Sequence, residues 1–156
     1  MQNITEISGI VDRGLRHSSG YDENGKAFRF YGSNVGSIKS QRSFFEKIIP
    51  EFSEIYNGSI NVSIHPKRFD IVEFDYEINC KWDPNRRAEN FWFVNTAIIH
   101  KNNSYKGYVY YPCPSEWKKR KENNTFEILA TFISNIKYGD HLSLIFNSRK
   151  IKISQI

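Results

Sequence analysis

A chain of 156 residues is expected to form one domain spanning 1–156, long enough to bury a core and too short for two comfortable ones. Its 12 Phe and 9 Tyr against a single Met favour strands over helices, and a net charge of +5 with a pI near 9.2 suits an anionic partner without naming one. There is no apolar run long enough to span a bilayer and no charged-then-apolar leader, and Cys80 and Cys113 have no second cysteine nearby, so a cytoplasmic protein with reduced, structural thiols is expected.

In chain order, Ile4 to Asp12 alternates loosely and is rich in β-branched residues, which predicts a first strand ending near Arg13-Gly14. The next stretch combines backbone freedom at Gly14, Ser18, Ser19 and Gly20 with positive charge at Arg13, Arg16 and His17. It is read either as a phosphate-wrapping loop or as a flexible surface loop, and it lacks the Walker spacing. Asp22 to Gly25 marks a hairpin tip, with Ala27–Tyr31 as its returning strand.

From Ser37 or Ser40 to Ile55, the residues Phe44, Phe45, Ile48, Ile49, Phe52 and Ile55 recur at three- and four-residue intervals. That spacing predicts an amphipathic helix over about 40–49, interrupted at Pro50. Asn57-Gly58 then turns the chain into a strand that places Ile60, Val62 and Ile64 on one face and Ser59, Asn61 and Ser63 on the other. Two neutral oxygens at Ser59 and Asn61 suit Mg²⁺, which prefers oxygen ligands and shares its coordination with phosphates; an ordinary polar strand face has the same pattern.

His65 to Arg68 is read as a loop, Phe69 to Tyr76 as an extended segment of imperfect period, and Asp83 to Arg87 as a polar turn. Phe91–His100 and Lys106–Tyr111 form the clearest hairpin, turning through Asn102-Asn103-Ser104 and stopped by Pro112 and Pro114. Tyr105, Tyr108, Tyr110, Tyr111 and Trp117 could stack on a flat ring or fill the core. The basic run Lys118–Lys121, flanked by Glu116 and Glu122, reads as a solvated loop. Phe126–Phe132 is a further strand and Lys137–Asp140 a turn. His141–Phe146 with Ile151 and Ile153 reads as a closing hairpin through Asn147-Ser148. About eight short strands and one helix argue for a mainly β, small closed barrel.

This order resembles the CTP-dependent riboflavin kinases typical of archaea, which are small cradle-loop barrels. The resemblance rests on Gly9-Ile10-Val11 followed by Gly14-Leu15, and on Tyr56-x-Gly58-Ser59-Ile60-Asn61-Val62, similar to the family's Y-x-G-T-L-N-[VL]. It also rests on Gly107 leading to Tyr111-Pro112, and on Phe126-Glu127-Ile128-Leu129-Ala130 followed by Tyr138-Gly139-Asp140. It implies Mg²⁺ at Ser59 and Asn61, with Glu127 at the acceptor substrate. A nucleotide, CTP by preference, would lie along Gly14, Leu15, Arg16, Ser18, Ser19 and Gly20, and the acceptor would be riboflavin or another small molecule. The chain departs from the family where Arg16 replaces a loop glycine, and between Ala130 and Gly139, where a Leu-Arg pair that helps hold the base is missing. The expected activity is Mg-assisted phosphoryl transfer. The alternative is a non-catalytic module on the same barrel that binds a nucleotide, a sugar or nucleic acid.

Overall fold

The computed structural model describes residues 3–12, 37–113 and 123–155. The expected nucleotide stretch Arg13 to Gly20, the hairpin at Asp22–Gly25, the strand Ala27–Tyr31, Pro114, Trp117 and the Lys118–Lys121 run lie outside them.

The described residues form strands β1 (Ile4–Asp12), β2 (Ile60–Ser63), β3 (Lys67–Ile71), β4 (Tyr76–Cys80), β5 (Glu89–His100), β6 (Asn103–Pro112), β7 (Thr125–Ala130), β8 (His141–Asn147) and β9 (Ile151–Gln155). One helix, α1 (Ser37–Glu46), is followed by a 3₁₀ turn at Pro50–Glu54. Six strands close in the order β5-β6-β7-β2-β1-β8 through a β5–β8 pairing, and β4 extends the sheet beyond β5. Every pairing is antiparallel. Closure pairs the two edges that an open sheet of the six barrel strands would present. No helix among the described residues is long and apolar enough to cross a membrane.

Strand alternation sorts the apolar residues into two cores on opposite faces of the barrel wall. The barrel interior holds Val11, Val62, Val94, Ile98, Val109, Phe126, Ile128 and Leu144. On the outside, Ile78, Phe91, Phe93, Tyr108, Tyr110 and Leu129 bury against Ile38, Phe45, Ile49 and Phe52 of the α1 region. Phe45 is the centre of the second core. Its ring meets Phe52, Phe91 and Phe93 edge-on at centroid distances of 5.4, 5.2 and 4.9 Å.

The β6 strand crosses β7 closely at Gly107. A Cβ built there would lie 2.6 Å from the Leu129 carbonyl oxygen, 2.8 Å from Ile98 Cδ1 and 2.9 Å from Ala130 Cβ. Gly107→Ala should therefore destabilise the barrel by about 3 kcal/mol, the upper range for overpacking. A urea titration checks this: the midpoint falls while the slope holds.

The strand Ile4–Asp12 and the alternation of Ile60, Val62 and Ile64 appear as expected, with Val62 and Ile64 buried. Four expectations need correction. The helix starts at Ser37 and ends at Glu46, because Pro50 opens a separate 3₁₀ turn rather than closing the last helical turn. The segment Phe69–Tyr76 is split: β3 begins at Lys67, inside the expected loop, and the chain leaves the strand at Val72 before β4 starts at Tyr76. The β5–β6 hairpin turns at Lys101 and Asn102, which have φ of 49° and 66°, so Asn103 and Ser104 already belong to β6. Two central residues with positive φ match the twist of the flanking strands. Finally, β8 and β9 do not pair as a hairpin: β9 crosses to β3, with Phe69 opposite Ile153, and forms a separate two-stranded sheet.

Candidate functional site

β2 is short, and its position is set from outside the strand. Arg42 on α1 donates from Nη1 to Asn57 Oδ1 at 2.6 Å, from Nη2 to the Phe52 and Ser53 carbonyls at 2.8 and 3.1 Å, and from Nε to Glu46 at 2.7 Å. Its guanidinium also sits 5.4 Å from the centre of the Phe52 ring. One side chain thus ties helix, 3₁₀ turn and the Asn57-Gly58 turn together immediately before Ser59. Arg42→Ala should cost about 2 kcal/mol by removing several charge-assisted hydrogen bonds. Lysine should restore less than half of that, because it lacks the planar fork. Denaturant titration of the two variants tests the order.

From that turn β2 enters the barrel wall between β1 and β7. In the β1–β2 register Asp12 faces Asn61, and in the β2–β7 register Asn61 faces Glu127, which in turn faces Tyr110 on β6. Directly opposed residues of antiparallel strands lie about 4.5–5.5 Å apart at Cα and point to the same side. Because Val11, Val62, Phe126 and Val109 face the interior, the row Asp12–Asn61–Glu127–Tyr110 lies on the outer face. Asp12 is exposed, Asn61 and Glu127 are half-buried, and Tyr110 is under α1, where its hydroxyl donates to Gln41 Oε1 at 2.8 Å. Ser59, half-buried, precedes the strand.

Asn61 and Glu127, chosen from separate motifs, are thus neighbours. Asp12 joins them as a third oxygen-bearing side chain that sequence reasoning did not single out; the signal was its place at the end of an alternating strand. Gln41 also had a signal, since it shares the apolar stripe of Ile38 and Phe45 and a polar residue there needs a buried partner. Asp12, Ser59, Asn61 and Glu127 offer only hard oxygen donors, the type that Mg²⁺ prefers and a soft metal does not. No group of three His, Cys, Asp or Glu poised to hold a metal occurs among the described residues, so a cation here would rely on neutral oxygens and on its substrate.

Of the two readings of the tyrosines, stacking on a flat ring or filling the core, burial favours the core for Tyr108, Tyr110 and Tyr111. Tyr108 and Tyr110 are buried in the second core, and Tyr111 packs into the barrel. Burial, helped by Glu51, pushes the Tyr108 hydroxyl up to about 12. Tyr56 and Phe132 are exposed rings, at 53% and 63%, with centroids 5.1 Å apart. They stand where the chain enters β2 and leaves β7, joined by the Tyr56 N–H to the Ala130 carbonyl at 2.9 Å.

Neither Cys80 nor Cys113 is in a disulfide, and burial, reinforced by Glu89, raises Cys80 to about 11, which keeps it protonated and unreactive. His65 is exposed, and His100 pairs with a carboxylate. No family model matches the chain, and no curated protein matches it.

Proposed function

We propose that the chain is a nucleotide-dependent small-molecule kinase, with CTP as the preferred donor and a hydroxyl of riboflavin or another small molecule as acceptor. The observation that carries this reading is the placement of Asn61 between Asp12 and Glu127 on one outer face of the barrel. Phosphoryl transfer needs positioning and charge neutralisation more than covalent help from the protein, and neighbouring oxygen-bearing side chains on adjacent strands suit that task.

Charge placement supports an anionic ligand. Segments 13–36 and 114–122 contain eight Lys and Arg against four Asp and Glu, so they carry four of the five net positive charges. The first follows directly on Asp12, and the second begins four residues after Tyr110. The excess cationic charge is therefore connected to both ends of the row.

In this reading Ser59 and Asn61 would hold Mg²⁺, which neutralises phosphate charge when bound. Glu127 orients the acceptor hydroxyl and takes its proton, which requires the hydroxyl to lie within hydrogen-bond reach of the carboxylate. Arg13, Arg16 or His17 and the backbone N–H groups of Gly14, Leu15, Ser18, Ser19 and Gly20 offset charge on the donor. Tyr56 and Phe132 give the acceptor ring an apolar surface.

The test is turnover. Protein incubated with Mg²⁺, riboflavin and each of CTP, ATP, GTP and UTP should release nucleoside diphosphate and phosphorylated acceptor with one donor, and none when Mg²⁺ is chelated. Absence of product with all four, together with salt-sensitive binding of single-stranded nucleic acid that ignores Mg²⁺, would replace the kinase by a binding module.

A further inference from the structure

His100, the last residue of β5, is a buried side chain at 2% exposure that the proposed chemistry does not use. Its Nε2 lies 2.9 Å from Asp140 Oδ2, and the same carboxylate oxygen accepts the Lys137 N–H at 3.0 Å, which closes the turn before β8. Backbone hydrogen bonds join that turn to β1 at Val11. Gly139, at a φ of 88° that favours glycine, donates its N–H to the Val11 carbonyl at 2.8 Å, while the Val11 N–H donates to the Asp140 carbonyl at 2.9 Å.

Two residues of the turn therefore face one residue of β1, which is the arrangement of a β-bulge. It sits just past the regular β1–β8 ladder, whose last pair is Ile10–His141, and one residue before Asp12. A bulge at a strand end stops the pairing and re-aims the next side chain. Here the next side chain belongs to the Asp12–Asn61–Glu127 row.

We infer that His100 is a positioning residue: acting through Asp140, it fixes the bulge from which β1 presents Asp12 beside Asn61. The consequence for ligand binding rests on the proposed function, whereas the clamp itself does not. The groups acting on Asp140 are the His100 ring from β5 and the Lys101 cation from the adjoining hairpin turn; Lys137 contributes its backbone N–H. The hydrogen bond from His100, then that from Lys137, holds the Asp140 carboxyl below the usual carboxylate range. A depressed folded value means the clamp is complete above the ordinary carboxylate pKa and is lost as pH falls through the lower folded one.

Amide hydrogen exchange followed by NMR tests this. His100→Ala and Asp140→Asn should each raise exchange at Val11 and Gly139 by about tenfold or more, as expected for loss of a charge-assisted hydrogen bond, with Phe93 in the second core unchanged. His100→Gln, which keeps a side-chain N–H donor, should restore most of the protection. Affinity for Mg²⁺·CTP should fall and recover in step. Unchanged exchange at Val11 and Gly139 in a folded His100→Ala protein would overturn the inference. If that variant does not fold, Asp140→Asn decides, since its side chain is 22% exposed and removing its charge leaves no cavity. Protection that responds as predicted in a protein that never binds nucleotide would uphold the clamp and remove only the kinase reading.

Discussion

Asn61→Ala is expected to lower phosphoryl transfer about a hundredfold, the scale reached when one preorganised polar contact is removed from a reacting centre. The backbone pairing of β2 with β1 and β7 does not depend on this side chain, and the apolar face of the strand, Val62 included, is untouched. Folding should therefore survive, and a thermal melt of the variant separates lost chemistry from lost structure. Asn61→Asp is the informative companion. It keeps an oxygen but adds a third carboxylate between Asp12 and Glu127, so it should bind Mg²⁺ more tightly and the nucleotide less well. Full activity in Asn61→Ala would remove the row from the mechanism.

Phe45→Ala is expected to be the most destabilising single truncation, at about 4 kcal/mol. Phe45 is fully buried, and besides its three closest ring contacts it meets Tyr110 at 6.2 Å, so the cavity would open in the middle of the second core. In a domain of this size such a loss lowers the melting temperature by roughly 8–16 °C. Because α1 carries both Gln41 and Arg42, the damage should also reach the site. Loosening the helix frees the Asn57 turn before Ser59 and the Tyr110 end of the row. Calorimetry together with nucleotide affinity checks both. A stable Phe45→Ala protein would mean that the helix is not held by this core.

How much of this was legible in the sequence depended on whether the cause was local. The alternation Ile60, Val62, Ile64 gave the strand and its buried face because side-chain direction on a strand follows from position alone. The β5–β6 hairpin was legible too, but not its turn: Asn102-Asn103-Ser104 carries stronger turn residues than Lys101, yet the cross-strand register of His100 with Asn103 moved the turn one residue earlier. The pairing of β9 with β3 could not be read, since Ile151 and Ile153 lie close in sequence to β8 and nothing local directs them across to Phe69.

The candidate site divides the same way. Ser59, Asn61 and Glu127 stood out through short motifs, whereas the register that sets Asn61 against Glu127 is a property of strands 66 residues apart. Arg42 looked like an ordinary helix-surface cation, and its role emerges only when the 3₁₀ turn brings the Phe52 and Ser53 carbonyls beneath it. His100 gave no more than a strand-end polar residue, because its partner Asp140 comes from the opposite side of the barrel closure.

The most direct test of the central claim is a thermal-shift comparison of wild type and Asn61→Ala with CTP, ATP, GTP and UTP, each with and without Mg²⁺. A ligand held at about 100 times its dissociation constant adds roughly 2.7 kcal/mol of apparent stability. The wild type should show a Mg²⁺-dependent shift with one nucleotide, CTP first, that Asn61→Ala loses. An equal shift in both proteins, or none with any nucleotide, would contradict that claim.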